Sequence, residues 1–136
     1  MKRVLFVCTG NTCRSPMAAA LFNRYAREKG LDAAADSAGL AARAGAPASA
    51  HAVAAMAEVG EDISSHAAKP VTRELLSAAD RICCMSESAT AFLRESGFDA
   101  RTLGTGISDP YGGTLEDYRR CRDEIAAAIP GAAEGL

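Results

Sequence analysis

The sequence lacks the features that mark membrane, secreted and nucleic-acid-binding proteins. No apolar run approaches the roughly 20 residues that are needed to cross a bilayer. The apolar run at residues 4–7, after Lys2 and Arg3, is too short for a signal peptide. The 15 basic residues are offset by 17 acidic ones, which gives a net charge of −2, so we expect no broad attraction to nucleic acid or to an anionic membrane. We therefore predict a cytoplasmic protein that binds neither.

The sequence pattern also contains no disulfide framework and no metal site. The five cysteines, at positions 8, 13, 83, 84 and 121, are odd in number and scattered, and without an export signal we expect reduced thiols. The two histidines, His51 and His66, lie far apart, and no His or Cys spacing resembles a zinc site. We predict that the protein uses no metal ion and no cofactor.

What is present fits an α/β protein. The 136 residues, of which 49 % are hydrophobic and 24 % charged, suit one domain spanning residues 1–136. Residues 4–7 form a continuous apolar run, as in a strand that is buried on both faces. Strand and helix patterns alternate along the chain, which predicts a three-layer sandwich with a four-stranded parallel sheet between flanking helices. A ligand site is expected at the carboxyl ends of the strands.

The boundaries of the elements follow from apolar runs, capping residues and glycines. We predict strands at residues 4–7, 31–36, 81–85 and 100–103. We predict helices from Ser15 to Gly30, over 47–59, from Thr72 to 78, over 86–95, and after Thr114, where Asp117 completes a capping box.

The segment from Cys8 to Arg14 is a Cys-x5-Arg loop between the first strand and the first helix. A loop that leads into a helix N-terminus directs backbone N–H groups at one point, which suits a bound phosphate dianion and also stabilises a thiolate. Arg14 offers a planar fork for two phosphoryl oxygens. Gly10 gives the loop conformational freedom, and Ser15 is placed to donate a hydrogen bond to the Cys8 sulfur.

A simpler interpretation of Cys8 is a small buried residue at a strand end, with a surface arginine nearby. The context favours chemistry, because the motif follows a terminal strand and precedes Ser15-Pro16 and an amphipathic helix. A leaving group also needs a proton donor. Asp109 is the candidate, in a loop rich in glycine and proline, although an aspartate before Pro110 is also a common turn residue. Spacing alone leaves these two interpretations of Asp109 open.

These motifs together resemble the low-molecular-weight protein tyrosine phosphatases. Residues 7–18 match the signature of that family nearly throughout, and Asp109-Pro110-Tyr111-Gly112 looks like its general-acid loop. Residues 36–38, 60–66 and 82–85 also match in order, so the similarity covers almost the whole chain.

The resemblance implies a metal-free, two-step hydrolysis of phosphorylated side chains in proteins. Cys8 would attack phosphorus to form a cysteinyl-phosphate while Asp109 protonates the leaving atom, and water would then release inorganic phosphate. The resemblance assigns phosphate binding to the loop and its support to two further side chains. The implied phosphate-binding residues are Thr9, Gly10, Asn11, Thr12, Cys13, Arg14 and Ser15, with Ser37 and His66 as loop support. Cys13 resembles a second loop cysteine that can trap Cys8 as a reversible disulfide, and the sequence leaves this interpretation and simple packing open. We expect a monomer.

Several positions favour the bacterial protein arginine phosphatase branch of this family. Thr12 stands where tyrosine-directed members usually carry a branched aliphatic residue, and its hydroxyl suits the guanidinium side of phosphoarginine. Gly112 replaces a frequent second aromatic, and Ser86 replaces a usual acidic residue. Tyr111 remains as an aromatic wall that suits phosphotyrosine. We therefore place Thr12 and Tyr111 in the substrate pocket and favour phosphoarginine over phosphotyrosine.

Three other functions share parts of this pattern. A thioredoxin-coupled arsenate reductase would need further cysteines to pass a disulfide outward, and Cys83 and Cys84 are adjacent on a predicted buried strand. A phosphocarrier domain of a sugar-transport system would retain its phosphate, whereas Arg14 and Asp109 suit hydrolysis. A purely binding role would require an unreactive Cys8.

Overall fold

The computed structural model describes residues 1–136 and contains four strands and five helices. The strands are β1 (Lys2–Cys8), β2 (Ala33–Gly39), β3 (Arg81–Cys84) and β4 (Ala100–Thr102). The helices are α1 (Arg14–Lys29), α2 (Ala50–Ala57), α3 (Arg73–Ala78), α4 (Glu87–Glu95) and α5 (Leu115–Ala133). No helix has both the length and the apolar character required to cross a membrane.

The four strands form one sheet in the order β2-β1-β3-β4, and every neighbouring pair is parallel. The predicted α/β architecture is therefore confirmed. Because the strands are parallel, their carboxyl ends lie at one edge, where Cys8 of β1 pairs with Gly39 of β2. The loops that follow β1 and β2 meet at this edge.

Side chains of β1 alternate between two apolar layers. Phe6 faces the layer formed with α1, α2 and α5, where its ring packs against Phe22 at a centroid distance of 5.9 Å. Leu5 and Val7 face the opposite layer, formed with α3 and α4. Burial on both faces explains the uninterrupted apolar run of this strand.

The predicted second strand differs from the structure at both ends. The strand predicted over residues 31–36 begins at Ala33 and continues to Gly39. Its start is later because the amide of Leu31 bonds to the carbonyl of Ala26 and so completes the end of α1. Its end is later because the parallel register with β1 extends to Gly39.

The helix predicted over 47–59 begins only at Ala50 and ends at Ala57. Pro47 instead forms an isolated bridge with Ala67, and Ser49 caps the helix by accepting a hydrogen bond from the amide of Ala52. Thr72 caps α3 as predicted, and Ser86, the predicted start of the next helix, caps α4. The capping box of Thr114 and Asp117 opens α5.

Candidate active site

A cavity of about 220 Å³ opens at the carboxyl edge of the sheet, between the loop after β1 and the loop before α5. Both segments that the sequence singled out for chemistry therefore line the same space. Its lining residues are Cys8, Thr9, Gly10, Thr12, Cys13, Arg14, Asp109 and Tyr111.

The sulfur of Cys8 lies buried at this cavity with two hydrogen-bond partners. The backbone amide of Asn11 donates to it over 3.2 Å, and the Ser15 hydroxyl lies 2.8 Å away. Because the Asn11 side-chain amide donates to the Ser15 oxygen at 2.8 Å, the Ser15 proton is free to point at the sulfur. Two donors directed at one sulfur stabilise its thiolate form, which is the nucleophilic one.

Asn11 holds the loop in shape from a fully buried position. It is the one non-glycine residue with positive φ, at 57°, a conformation that asparagine tolerates better than most residues. Its side chain also donates to Ser37 at 2.9 Å and accepts from the backbone amide of Lys69 at 3.0 Å. Its carbonyl lies 2.7 Å from Nε2 of His66. The structure thus brings Ser37 and His66 to the loop, in the supporting positions that the family resemblance implies.

The Arg14 guanidinium is buried beside the cavity. One nitrogen donates to the carbonyl of Ile107 at 3.0 Å, and another lies 3.5 Å from a carboxylate oxygen of Asp109. The second oxygen of Asp109 accepts from the backbone amide of Tyr111 at 3.0 Å. The loop before α5 therefore fixes Arg14 through a carbonyl and places Asp109 facing it across the site.

The N-terminus of α1 is arranged to receive an anion. Its N-cap residue, Cys13, makes no side-chain hydrogen bond to the helix, and no acidic residue stands in the first turn. The first amides of the helix therefore keep their hydrogen-bonding capacity for a ligand.

The two residues that were predicted to line the substrate pocket both lie at this cavity. Thr12 is half-buried there, and Tyr111, with 77 % of its surface exposed, stands at the rim.

Two supporting residues, Gly39 and Lys69, were missed by the sequence analysis. A Cβ on Gly39 would lie 2.6 Å from the carbonyl oxygen of Thr9 and 3.0 Å from the amide nitrogen of Asn11, so a side chain there would displace the loop. Lys69 acts through its backbone amide, which leaves no signal in its side-chain type. The only sequence feature that could have pointed to either residue was the glycine at position 39, directly after Ser37-Ala38.

The remaining cysteines lie outside the cavity in buried positions. Cys83 and Cys84 point to opposite faces of the sheet, and burial raises the pKa of each thiol to about 11. Burial likewise raises the pKa of Cys121 to about 12. Thiols of this kind are poor nucleophiles, so they do not suit the disulfide relay of an arsenate reductase. No group of three or more His, Cys, Asp or Glu side chains could hold a metal ion.

Comparison with known proteins points to one family. Residues 3–136 match the model of the family described as low molecular weight phosphotyrosine protein phosphatase. A protein-arginine-phosphatase of Bacillus subtilis is 35 % identical over 144 residues, covering 98 % of this chain and 95 % of the relative. A probable low molecular weight protein-tyrosine-phosphatase, EpsP of Ralstonia nicotianae, is 46 % identical over 138 residues, covering 95 % and 92 %.

Two further comparisons bear on the fold and on the arsenate reductase alternative. The crystal structure of a low molecular weight protein tyrosine phosphatase from T. tengcongensis superposes with a TM-score of 0.92, at 40 % identity and with full coverage of both chains, 100 % each. An arsenate reductase of Brevibacillus brevis is 35 % identical over 133 residues, covering 98 % of this chain and 95 % of the relative. The buried positions of Cys83 and Cys84 disfavour that activity here.

Proposed function

Because the chain belongs to the low molecular weight phosphotyrosine protein phosphatase family and is a cysteine-dependent phosphatase, we propose that Cys8 is its nucleophile, Arg14 its phosphate clamp and Asp109 its general acid. The observation that carries this proposal is the convergence of these three side chains on one cavity. They come from two segments about 95 residues apart in the sequence.

In the first step, the Cys8 thiolate attacks phosphorus and the bond from phosphorus to the leaving atom breaks. The phosphoryl oxygens accept hydrogen bonds from the loop amides and from the Arg14 guanidinium, which neutralise charge as it develops. Asp109 transfers its proton to the departing nitrogen or oxygen, so that arginine departs as its guanidinium and tyrosine as its phenol. The half-exposed carboxyl of Asp109 suits this role because it faces both the cavity and solvent.

In the second step, water attacks the cysteinyl-phosphate and inorganic phosphate leaves. Asp109, now ionised, accepts the proton of the attacking water. The Cys8 sulfur departs as a thiolate, stabilised by the amide of Asn11 and the hydroxyl of Ser15, which lie 3.2 Å and 2.8 Å from it. The same two donors thus favour the ionised form of Cys8 that the first step uses and lower the barrier of the second step, in which the thiolate departs.

For the substrate we propose phosphorylated protein side chains, with phosphoarginine preferred over phosphotyrosine. The support is Thr12, a polar residue that lines the cavity where an aliphatic one would otherwise pack against an aromatic ring. Relatives named as protein-arginine-phosphatases agree with this preference. The exposed Tyr111 leaves some aromatic surface for phosphotyrosine. We also propose that the enzyme acts as a cytoplasmic monomer, with residues 1–136 as one catalytic domain.

A comparison of kcat/KM on phosphoarginine and phosphotyrosine peptides of the same sequence tests the substrate preference. We expect a higher value for phosphoarginine, and Thr12→Ile should shift the ratio toward phosphotyrosine. The ratio is internally controlled, because a loss of folded enzyme lowers both rates equally. Equal or reversed values in the wild-type enzyme would refute the preference.

Replacement of the nucleophile tests the mechanism. Cys8→Ser should abolish turnover, because a serine hydroxyl is not ionised at neutral pH. Cys84→Ser is the matched control: its side chain lies in the opposite apolar layer beside Thr90, so activity should persist. Turnover by the Cys8→Ser enzyme on either substrate would overturn the role of Cys8.

A further inference from the structure

Tyr118 of α5 is buried, with 2 % of its surface exposed, and does not line the catalytic cavity. Its hydroxyl oxygen lies 3.3 Å from the sulfur of Cys13. The thiol of Cys13 donates to the hydroxyl oxygen of Ser49 at 3.5 Å, so the Tyr118 hydroxyl is the donor to the sulfur. A chain of two hydrogen bonds therefore ties a residue of the catalytic loop to α5 and to the start of α2.

We propose that Tyr118 is a positioning residue that holds the Cys13 thiol and thereby sets the affinity of the loop for a phosphoryl group. This inference rests on the proposed role of the loop in phosphate binding. Tyr118 touches neither substrate nor the reacting atoms and acts only through Cys13.

The position of Cys13 explains why this contact matters. Cys13 is the N-cap of α1, with φ −126° and ψ −85°, and its side chain makes no bond to the helix amides. An N-cap side chain that turned toward the helix would occupy an amide of the first turn. Because Tyr118 and Ser49 hold the thiol away from the helix, these amides remain available to phosphoryl oxygens.

Ser49 connects the same part of the loop to α2. Its backbone amide donates to the carbonyl of Thr12 at 2.9 Å, and its side chain caps α2. Ser49 therefore carries structural duties besides its bond to Cys13, whereas Cys13 is the one loop residue to which the Tyr118 hydroxyl is hydrogen-bonded. Burial and the bond to Cys13 raise the pKa of Tyr118 to about 12, so its hydroxyl remains a donor at neutral pH.

Direct binding of inorganic phosphate, measured by calorimetry, tests the proposal without requiring turnover. We expect Tyr118→Phe to weaken phosphate binding about threefold to tenfold, the effect of one neutral hydrogen bond. The inhibition constant of phosphate should rise by the same factor, and kcat should change by less than about twofold. Tyr25→Phe is the matched control, because Tyr25 is a half-buried residue of α1 beside Lys29 and should leave phosphate affinity unchanged.

A double-mutant cycle establishes whether Tyr118 acts through Cys13. Cys13→Ala should weaken phosphate binding, and adding Tyr118→Phe to it should have no further effect. Cys13→Ser keeps a hydroxyl that Tyr118 can bond, so it should retain more affinity than Cys13→Ala. This serine and alanine pair tests the contact even if Tyr118→Phe does not fold.

The outcomes separate this proposal from the proposed function. If the wild-type protein binds no phosphate, both are wrong. If the wild type binds phosphate and Tyr118→Phe binds it equally well, only the role of Tyr118 is wrong. An undiminished effect of Tyr118→Phe in the Cys13→Ala background would also overturn it, because the tyrosine would then act by another route.

Discussion

The replacement of Asn11 offers the sharpest test of how the catalytic loop is held. Its side chain makes three hydrogen bonds: those to Ser15 and Ser37 are buried, and that to the backbone amide of Lys69 is partly buried. Each buried bond contributes about 0.5–1.5 kcal/mol. Asn11→Ala should therefore lower the free energy of unfolding by about 3 kcal/mol through these bonds alone.

The backbone of Asn11 adds a second cost, because its φ is 57°. An alanine held in this left-handed region is strained by about 1–2 kcal/mol, whereas glycine is not. A glycine at this position instead lowers the free energy of unfolding by about 0.5–1 kcal/mol, because it increases the conformational entropy of the unfolded chain. Asn11→Gly should thus be more stable than Asn11→Ala by about 0.5–1 kcal/mol, although both lose the same three bonds.

Urea unfolding measures the free energy of unfolding of each variant. The effect on catalysis is measured as kcat under conditions in which each variant is fully folded. Both variants should lose about tenfold to a hundredfold in kcat, because the amide of residue 11 no longer points reliably at the Cys8 sulfur. Asn23→Ala is the matched control. Asn23 makes two side-chain bonds to the backbone of Ala35, at 2.8 Å and 3.2 Å, far from the cavity. It should lose stability without losing kcat.

Two results would refute this reasoning. An Asn11→Ala enzyme as stable as the wild type would mean that the buried network contributes no net stability. Equal losses of kcat in Asn11→Ala and Asn23→Ala would mean that activity follows general stability and not the shape of the loop.

Three further predictions concern the acid, a surface ion pair and a loop contact. Asp109→Asn should lower kcat/KM on phenyl phosphate by about a hundredfold or more and less on p-nitrophenyl phosphate, whose leaving group needs less protonation. Equal losses of kcat/KM on the two substrates would contradict its role as an acid. Hydrogen bonds from two arginines of α5 lower the pKa of Glu58 from 4.5 to about 2, so its stabilising effect is complete above about pH 4.5 and is lost as the pH falls through about 2. Glu58→Gln should flatten that part of an unfolding curve against pH, and an unchanged curve would exclude the pair as its cause. Gly39→Ala should cost about 1–3 kcal/mol and lower kcat, because its Cβ would lie 2.6 Å from the carbonyl of Thr9. Gly131→Ala, in α5 and with nothing within 4 Å, should leave kcat unchanged and raise the stability by at most about 1 kcal/mol.

Strong local signals produced the correct parts of the sequence-based fold. The apolar run of β1, the Ser15-Pro16 start of α1 and the capping residues Thr72 and Thr114 each act within a few residues, so their structural effect can be read directly. β2 was misplaced because its alanines carry almost no pattern. Its true bounds follow from the pairing with β1, which is a long-range interaction.

The sequence by itself determined the chemistry-bearing groups: a Cys-x5-Arg loop at a strand end and an aspartate in a distant turn. It could do so because nucleophile, clamp and acid are defined by side-chain type and local context. Only the tertiary structure decided how these groups are held. The amide of Lys69, the absent Cβ of Gly39 and the hydroxyl of Tyr118 reach the loop across 30 to more than 100 positions of sequence. Such contacts depend on how sheet and helices pack, and no local pattern of residues encodes them.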